Sequence, residues 1–231
     1  MRLYLIGKPR LEWTEFARFA RDEKLPEAQQ YMVEPPSDGE TIAEIAGRIC
    51  YMSFDNKAKR TNAQYLSNII GHQHYSVLEH ANFTFIFTGV SRALTHELVR
   101  HRHFSFSQLS QRYVDHSKVE AVVPAAIQGE LEMELLAHHI KATELYQRIV
   151  EAYPAEDLAG KKRIRGAARA VLPECTETKI VVTGNVRTWR EFIEKRLSPA
   201  ADAEIRGLAS KVLDVLYKEA PSMFTDLLEF Q

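Results

Sequence analysis

Apolar positions along this chain switch between a period of two and a period near four, so the sequence predicts both strands and helices. Residues 82–88, Asn-Phe-Thr-Phe-Ile-Phe-Thr, read as a strand with Phe83, Phe85 and Phe87 on one side and Ile86 among the polar positions of the other. Shorter apolar runs predict strands at 3–6, ahead of Gly7 and Pro9, and at 178–183. Helical spacing covers 11–24 (Leu11, Phe16, Phe19, Ala20), 62 to about 73 (Leu66, Ile69, Ile70) and 202–220, with Ile205, Leu208, Ala209, Val212, Val215 and Leu216 as a core face. After a break at Pro35-Pro36, Ser37-Asp-Gly-Glu40 is a capping-box pattern that opens a helix through Tyr51. Ser91 caps a helix carrying Leu94, Leu98 and His101. The longest helical pattern, 126–153, carries Leu131, Leu135, Leu136, Ile140, Leu145 and Ile149 and is stopped by Pro154. That length exceeds the needs of one small core and implies packing between subunits. Residues 161–169 form a basic helix ending before Pro173, and Gly184-Asn185 turns the 178–183 strand into a further helix.

At 231 residues, with 45% hydrophobic and 26% charged residues, the chain has the balance of an ordinary globular protein. No internal repeat or linker interrupts it, so 1–231 is read as one domain. A net charge of −1 provides no overall field for nucleic acid or membrane, so any anion binding is local. No apolar run approaches a membrane span, and the start is too short in apolar residues for a signal peptide, so the expected location is the cytoplasm. Two cysteines make no disulfide framework. Cys50 follows Ile42, Ile45, Ala46 and Ile49 at helical spacing, as a core residue does, while Cys175 lies beside Glu174, a carboxylate that raises a thiol pKa. Neither has the setting of a nucleophile.

Local chemistry concentrates in residues 100–113, Arg-His-Arg-His-Phe-Ser-Phe-Ser-Gln-Leu-Ser-Gln-Arg-Tyr, which hold three guanidiniums, two imidazoles and three serine hydroxyls with no acid among them. Arg presents a planar fork of donors that matches phosphate oxygens in pairs, and Ser hydroxyls complete such a set. The stretch has no clear period and reads as a helix end running into an ordered loop. With neither Gly-x-Gly-x-x-Gly nor a P-loop in the chain, side chains must hold any phosphate. His72, His74 and His80 with Glu79 leave a metal site open, though no helical His-Glu-x-x-His accompanies them and none is assigned; His138 and His139 read as surface residues. On the last basic helix, Arg187 and Glu191 share one face, while Arg196 lies about 180° from Arg187, with Trp189, Phe192 and Ile193. A guanidinium on an apolar stripe needs a partner.

Arg100-His101-Arg102, seven residues, Ser110, then Arg112-Tyr113 resembles the signature of the flavin-dependent thymidylate synthases. His74-Tyr-Ser76-Val-Leu-Glu79-His80 and Arg169-Ala-Val-Leu-Pro173 resemble further family segments, so the likeness spans roughly 42–216. The resemblance implies reductive methylation of dUMP to dTMP, with methylenetetrahydrofolate as carbon donor and NADPH as reductant through bound FAD, leaving tetrahydrofolate. It assigns Ser76, Arg100, His101, Arg102, Gln108, Asn185, Val186, Arg187 and Glu191 to FAD. It assigns Glu97, Leu98, Val99, Arg100, Gln108, Leu109, Ser110, Gln111, Arg112, Arg169 and Arg196 to dUMP, with Arg196 catalytic through stabilisation of an ionised pyrimidine. It also implies an α+β fold, a central mixed sheet flanked by long helices, and a homotetramer whose active sites are shared between subunits. Two positions depart from the pattern: Gln108 stands where some members have Glu, and Glu191 where others have His. Two rival readings start from the same residues: a nucleotide- or RNA-binding protein that stacks bases on Phe104, Phe106 and Tyr113, and a His-based metal hydrolase.

Overall fold

A computed structural model of the chain describes residues 1–26, 28, 31, 36–55 and 60–230; the proposed break at Pro35 lies outside them. In chain order the elements are β1 (Arg2–Gly7), α1 (Trp13–Asp22), α2 (Asp38–Ile49), α3 (Asn62–Gly71), β2 (Asn82–Ser91), α4 (Arg92–Leu98), β3 (Ser105–Gln108), α5 (Glu130–Ala152), α6 (Leu158–Ala168), β4 (Glu177–Asn185), α7 (Val186–Arg196) and α8 (Ala203–Glu219). Among the described residues the four strands make one sheet in the order β1-β2-β4-β3.

All three strand pairings are antiparallel, so the fold is α+β as expected but the sheet is not mixed. The strand sequences agree with this arrangement, because an antiparallel sheet needs only one fully covered face. On the covered face Phe85 lies opposite Val182 and Phe87 opposite Ile180, and these side chains join Trp189, Phe192 and Ile193 of α7 and Ile205, Leu208, Val212 and Leu216 of α8 in one core. Thr84, Ile86 and Thr88, on the other face, are only half-buried. The β2–β4 register shifts between Phe87 and Val90, where Gly89 takes φ +64° and a Cβ would come within 3.0 Å of the Met1 nitrogen. A smaller core places Phe16 and Ala20 of α1 with Ile45 of α2, Tyr31 and Phe54.

Helix starts follow their caps. Ser37 and Glu40 make both bonds of the capping box on α2, and Asp202 accepts the Glu204 amide at the start of α8. Other expectations are corrected. Cys50 is exposed, because it stands at the end of α2, past the buried stripe, where its Sγ donates to the Ala46 carbonyl at 3.4 Å. His139 is buried, since loop residue Val119 crosses α5 there and its carbonyl meets Nε2 at 2.9 Å; His138 is exposed. Helix α5 starts at Glu130, after Gly129 at φ +68°, rather than at 126, and α4 stops at Leu98, so His101 is not on its face. Residues 105–108 form a strand, not loop, because β4 offers an edge with which they pair. Among the described residues no helix is long and apolar enough to cross a membrane.

Candidate active site

The basic tripeptide sits in the turn that joins α4 to β3. Ser91 caps α4 by accepting the Leu94 amide at 3.0 Å and is itself fixed by Glu204, whose carboxylate accepts both its N–H and its hydroxyl. Past Leu98 the turn closes through His101 N–H to the Leu98 carbonyl (3.1 Å) and Phe104 N–H to the His101 carbonyl (3.2 Å). Phe104 then anchors it: the ring is buried, 4.4 Å from the Trp189 ring, over Gly184. A Cβ on Gly184 would lie 2.4 Å from two Phe104 ring carbons, so only glycine admits this contact unchanged.

This anchoring sets Arg100, His101, Arg102 and His103 against α7, where Thr188, Glu191, Lys195 and Arg196 complete a cleft of about 410 Å³. Arg196 reaches back from the end of α7. Its Nε donates to His101 Nε2 (3.0 Å), Nη1 to Glu97 Oε2 (2.5 Å) and Nη2 to the Glu97 carbonyl (3.3 Å). The partner that an arginine on this apolar stripe needs is therefore Glu97. Burial holds the His101 imidazole at a pKa of about 4, and the Arg196 and Lys195 charges add to that, so the ring is neutral at physiological pH and Nε2 is free to accept. Glu191 pairs with Lys195, whose hydrogen bond keeps the carboxyl below its usual range. Arg100 and Arg102 have no carboxylate in ion-pair range among the described residues.

The other assigned residues are placed as follows. Asn185 caps α7, its Oδ1 accepting from the Thr188 amide (2.9 Å) and hydroxyl (3.0 Å). Val186 is fully buried, Ser76 is exposed, and Arg187 donates to Glu79 at 2.6 Å. Leu98 is also fully buried, whereas Val99 is exposed. Gln108 turns inward, donating to Thr95 Oγ1 at 2.9 Å. Leu109 donates its N–H to the Lys179 carbonyl, and the Ser110 hydroxyl accepts the Arg112 amide at 3.3 Å. Arg112 and Arg169 line a separate depression with Lys162, Arg163 and Gly166, and Arg169 also lines a third with Gln111, Arg92 and His96. Lys162 and Arg165 of α6 fix the neighbouring Tyr113, through its hydroxyl (2.6 Å) and its carbonyl (2.6 Å).

One chain therefore gathers Glu97, Arg100–Arg102, Glu191 and Arg196 at one cleft, and Ser110, Gln111, Arg112 and Arg169 elsewhere. Lys195, Thr188, Lys162 and Arg163 also line these clefts, with no role assigned to them from the sequence; the basic runs 161–165 and 195–196 were the available signal for all but Thr188. Cys175 has its thiol pKa raised, by burial rather than by the neighbouring carboxylate. Of the aromatics needed for base stacking, Phe104 is buried and Phe106 packs on it at 5.9 Å, which leaves Tyr113 exposed. Among the described residues no group of three or more His, Cys, Asp or Glu side chains is placed to hold a metal, and His72 is bound to the Asn68 carbonyl at 2.8 Å.

Residues 31–222 match the family model described as thymidylate synthase complementing protein. The flavin-dependent thymidylate synthase of Mycobacterium sp. (strain KMS) is 48% identical over 202 residues, covering 81% of this chain and 80% of that one. The flavin-dependent thymidylate synthase of Mycolicibacterium gilvum (strain PYR-GCK) is 49% identical over 199 residues, covering 81% and 79%. A crystal structure of thymidylate synthase X from Helicobacter pylori with FAD and dUMP shares the fold, with a TM-score of 0.69 over 99% of both chains at 22% identity. The chain belongs to the flavin-dependent thymidylate synthases, a family of enzymes.

Proposed function

We propose that this protein converts dUMP to dTMP, taking the methylene carbon from methylenetetrahydrofolate and the reducing equivalent from NADPH by way of bound FAD, with tetrahydrofolate and NADP+ as the other products. The observation that carries the reading is the cleft between the 100–103 turn and α7. It concentrates Arg100, Arg102, Lys195 and Arg196 in a chain whose net charge is −1. Family membership supplies the nucleotide chemistry that such a cleft would serve.

The donor set fits a flavin dinucleotide. Arg100 and Arg102, neither held by a carboxylate among the described residues, would take diphosphate oxygens as charge-assisted hydrogen bonds. Arg187 would first have to exchange its Glu79 partner for the ligand. When bound, FAD supplies the hydride transfer that the side chains of this protein cannot perform. Arg112 and Arg169, with Lys162 and Arg163 beside them, form the set suited to the dUMP phosphate monoester. At the pyrimidine, Arg196 would stabilise negative charge at N3 and O2, which makes C5 the more nucleophilic carbon. Gln108, held by Thr95, brings no negative charge to that ring.

A single chain parts the residues assigned to dUMP among separate clefts, with Arg100 and Arg196 in one, Arg112 and Arg169 in another, and Gln111 beside Arg169 in a third. Helix α5 leaves Leu131, Met133, Ile140 and Leu145 at 41–66% exposure, an apolar surface that a monomer does not cover. Both features fit a homotetramer of one-domain subunits with shared sites. To test the reading, the purified protein is extracted with acid and the released chromophore identified, and dUMP binding to the FAD-loaded protein is measured by calorimetry. The reading expects FAD and dUMP to bind; failure of added FAD to bind refutes it.

A further inference from the structure

Arg196 is held more tightly than a helix-end arginine requires. Helix α7 is already fixed by Trp189, Phe192 and Ile193 in the core, and by Arg190, which is buried and donates to Asp226 through both terminal nitrogens (2.8 and 2.6 Å). The Arg196–Glu97 pair is only part-buried, and one such pair adds modest stability to a helix already anchored in this way. Yet three different acceptors take Arg196 N–H groups: the Glu97 carboxylate, the Glu97 carbonyl and the His101 imidazole. A guanidinium has five N–H donors, so two remain, one on each terminal nitrogen, and the planar group cannot rotate without breaking all three bonds.

We infer that Glu97 and His101 are positioning residues for Arg196, fixing which edge of its guanidinium faces the cleft and how much of its charge is compensated before substrate arrives. This rests on the proposed placement of the dUMP pyrimidine against Arg196, and it gives Glu97 and His101 duties beyond the ligand contacts suggested by resemblance. His101 serves only as an acceptor, which requires the neutral ring with its proton on Nδ1, since Nε2 receives the Arg196 Nε–H. Its surroundings keep it so: the ring packs edge-on against Phe192, 5.2 Å between centroids. The titratable and charged groups around it are Arg196, Lys195 and Glu191 of α7, Glu97 of α4, and Arg100, Arg102 and His103 of its own turn. Burial and the cations oppose protonation, against Glu191. Protonation would put an N–H where Arg196 needs a lone pair and turn the guanidinium away. Glu97 is the charge half of the device, because its carboxylate offsets the Arg196 cation until an anionic ring competes for it.

The test uses the FAD-loaded protein with 15N-labelled histidine, with the His101 signal identified by its loss in His101→Gln. The expected spectrum is a neutral ring, protonated on Nδ1 and bare at Nε2, that persists below pH 5. In Arg196→Ala the ring should take its proton at distinctly higher pH. A ring protonated on Nε2, or one that titrates unchanged in Arg196→Ala, overturns the inference. Turnover supplies the second reading. At full flavin occupancy, His101→Gln, whose amide oxygen reaches the place of Nε2, should keep severalfold more dTMP formation than His101→Leu, which should lower kcat tenfold or more. Equal losses in the two variants count against the inference. Glu97→Gln should tighten dUMP binding severalfold; unchanged or weaker binding removes Glu97 from the role. The ring spectrum needs no turnover. A protein that makes no dTMP but shows the expected tautomer contradicts the proposed function alone, while an active enzyme with the wrong tautomer contradicts only this inference.

Discussion

Gly184→Ala tests how the site is anchored. The glycine sits near the end of β4 under the Phe104 ring, and a methyl there would lie 2.4 Å from Cδ1 and Cε1, about 1 Å inside ordinary contact. Phe104 has nowhere to retreat: Trp189, Phe192 and Phe106 surround it at centroid distances of 4.4, 5.9 and 5.9 Å. Overpacking of this kind costs about 1–3 kcal/mol. Phe104→Leu alone loses buried ring surface and leaves a small void, a cost of about 1–2 kcal/mol. The two changes are complementary in volume, so the double variant should be more stable than the sum of the single losses predicts, by about 1 kcal/mol or more. Urea unfolding of the four proteins, with FAD absent so that ligand linkage does not enter, measures the cycle. Because Phe104 ends the turn that carries Arg100–His103, Gly184→Ala should also weaken FAD binding, and the double variant should regain part of it. Additivity within about 0.3 kcal/mol would show that Gly184 and Phe104 do not share this space, and the steric argument would fail.

Arg196→Ala, in folded and FAD-loaded protein at saturating dUMP, should slow dTMP formation by an amount on the order of 3 kcal/mol while flavin reduction by NADPH changes less; Arg196→Lys should fall between, since it keeps the charge and loses the planar fork. A wild-type rate in Arg196→Ala would leave that residue structural. The Cys50→Ala, Cys175→Ala double variant should retain turnover, because one thiol stands exposed at a helix end outside the clefts and burial raises the pKa of the other. Loss of activity in a folded, flavin-loaded double variant would reinstate a cysteine mechanism. The depressed pKa of His101 means that the unfolded chain binds a proton there which the folded chain refuses between about pH 6.5 and 4. Stability should therefore fall as pH drops through that window, and His101→Gln should flatten the slope; identical slopes in the two proteins would contradict it. Asp226→Ala removes the bidentate partner of buried Arg190 and should destabilise by about 1–3 kcal/mol in denaturant unfolding, a figure kept low because Asp226 is half exposed.

Residues whose behaviour is set by near neighbours were legible in the sequence. The alternation of Phe83, Phe85 and Phe87 placed β2 and its covered face, and Ser37 with Glu40, Ser91 and Asn185 marked where helices begin. Strand β3 was not legible, because Ser-Phe-Ser-Gln has too little apolar pattern to declare a strand and becomes one only by pairing with β4. The carboxylates that hold Arg187 and Arg196 lie 108 and 99 residues away, so local spacing gave no sign of which acid meets which guanidinium. Cys50 and His139 show the limit of helical periodicity. Spacing says which side chains share a face, but a helix end left one of them bare and a crossing loop covered the other.

The most direct measurement is product formation. The FAD-loaded protein is incubated with dUMP, methylenetetrahydrofolate and NADPH, and the nucleotides are separated by chromatography. Formation of dTMP that stops when FAD, the folate or NADPH is withheld is the result the account predicts. No dTMP from a folded protein with FAD and dUMP bound, or dTMP formed without flavin, would contradict it.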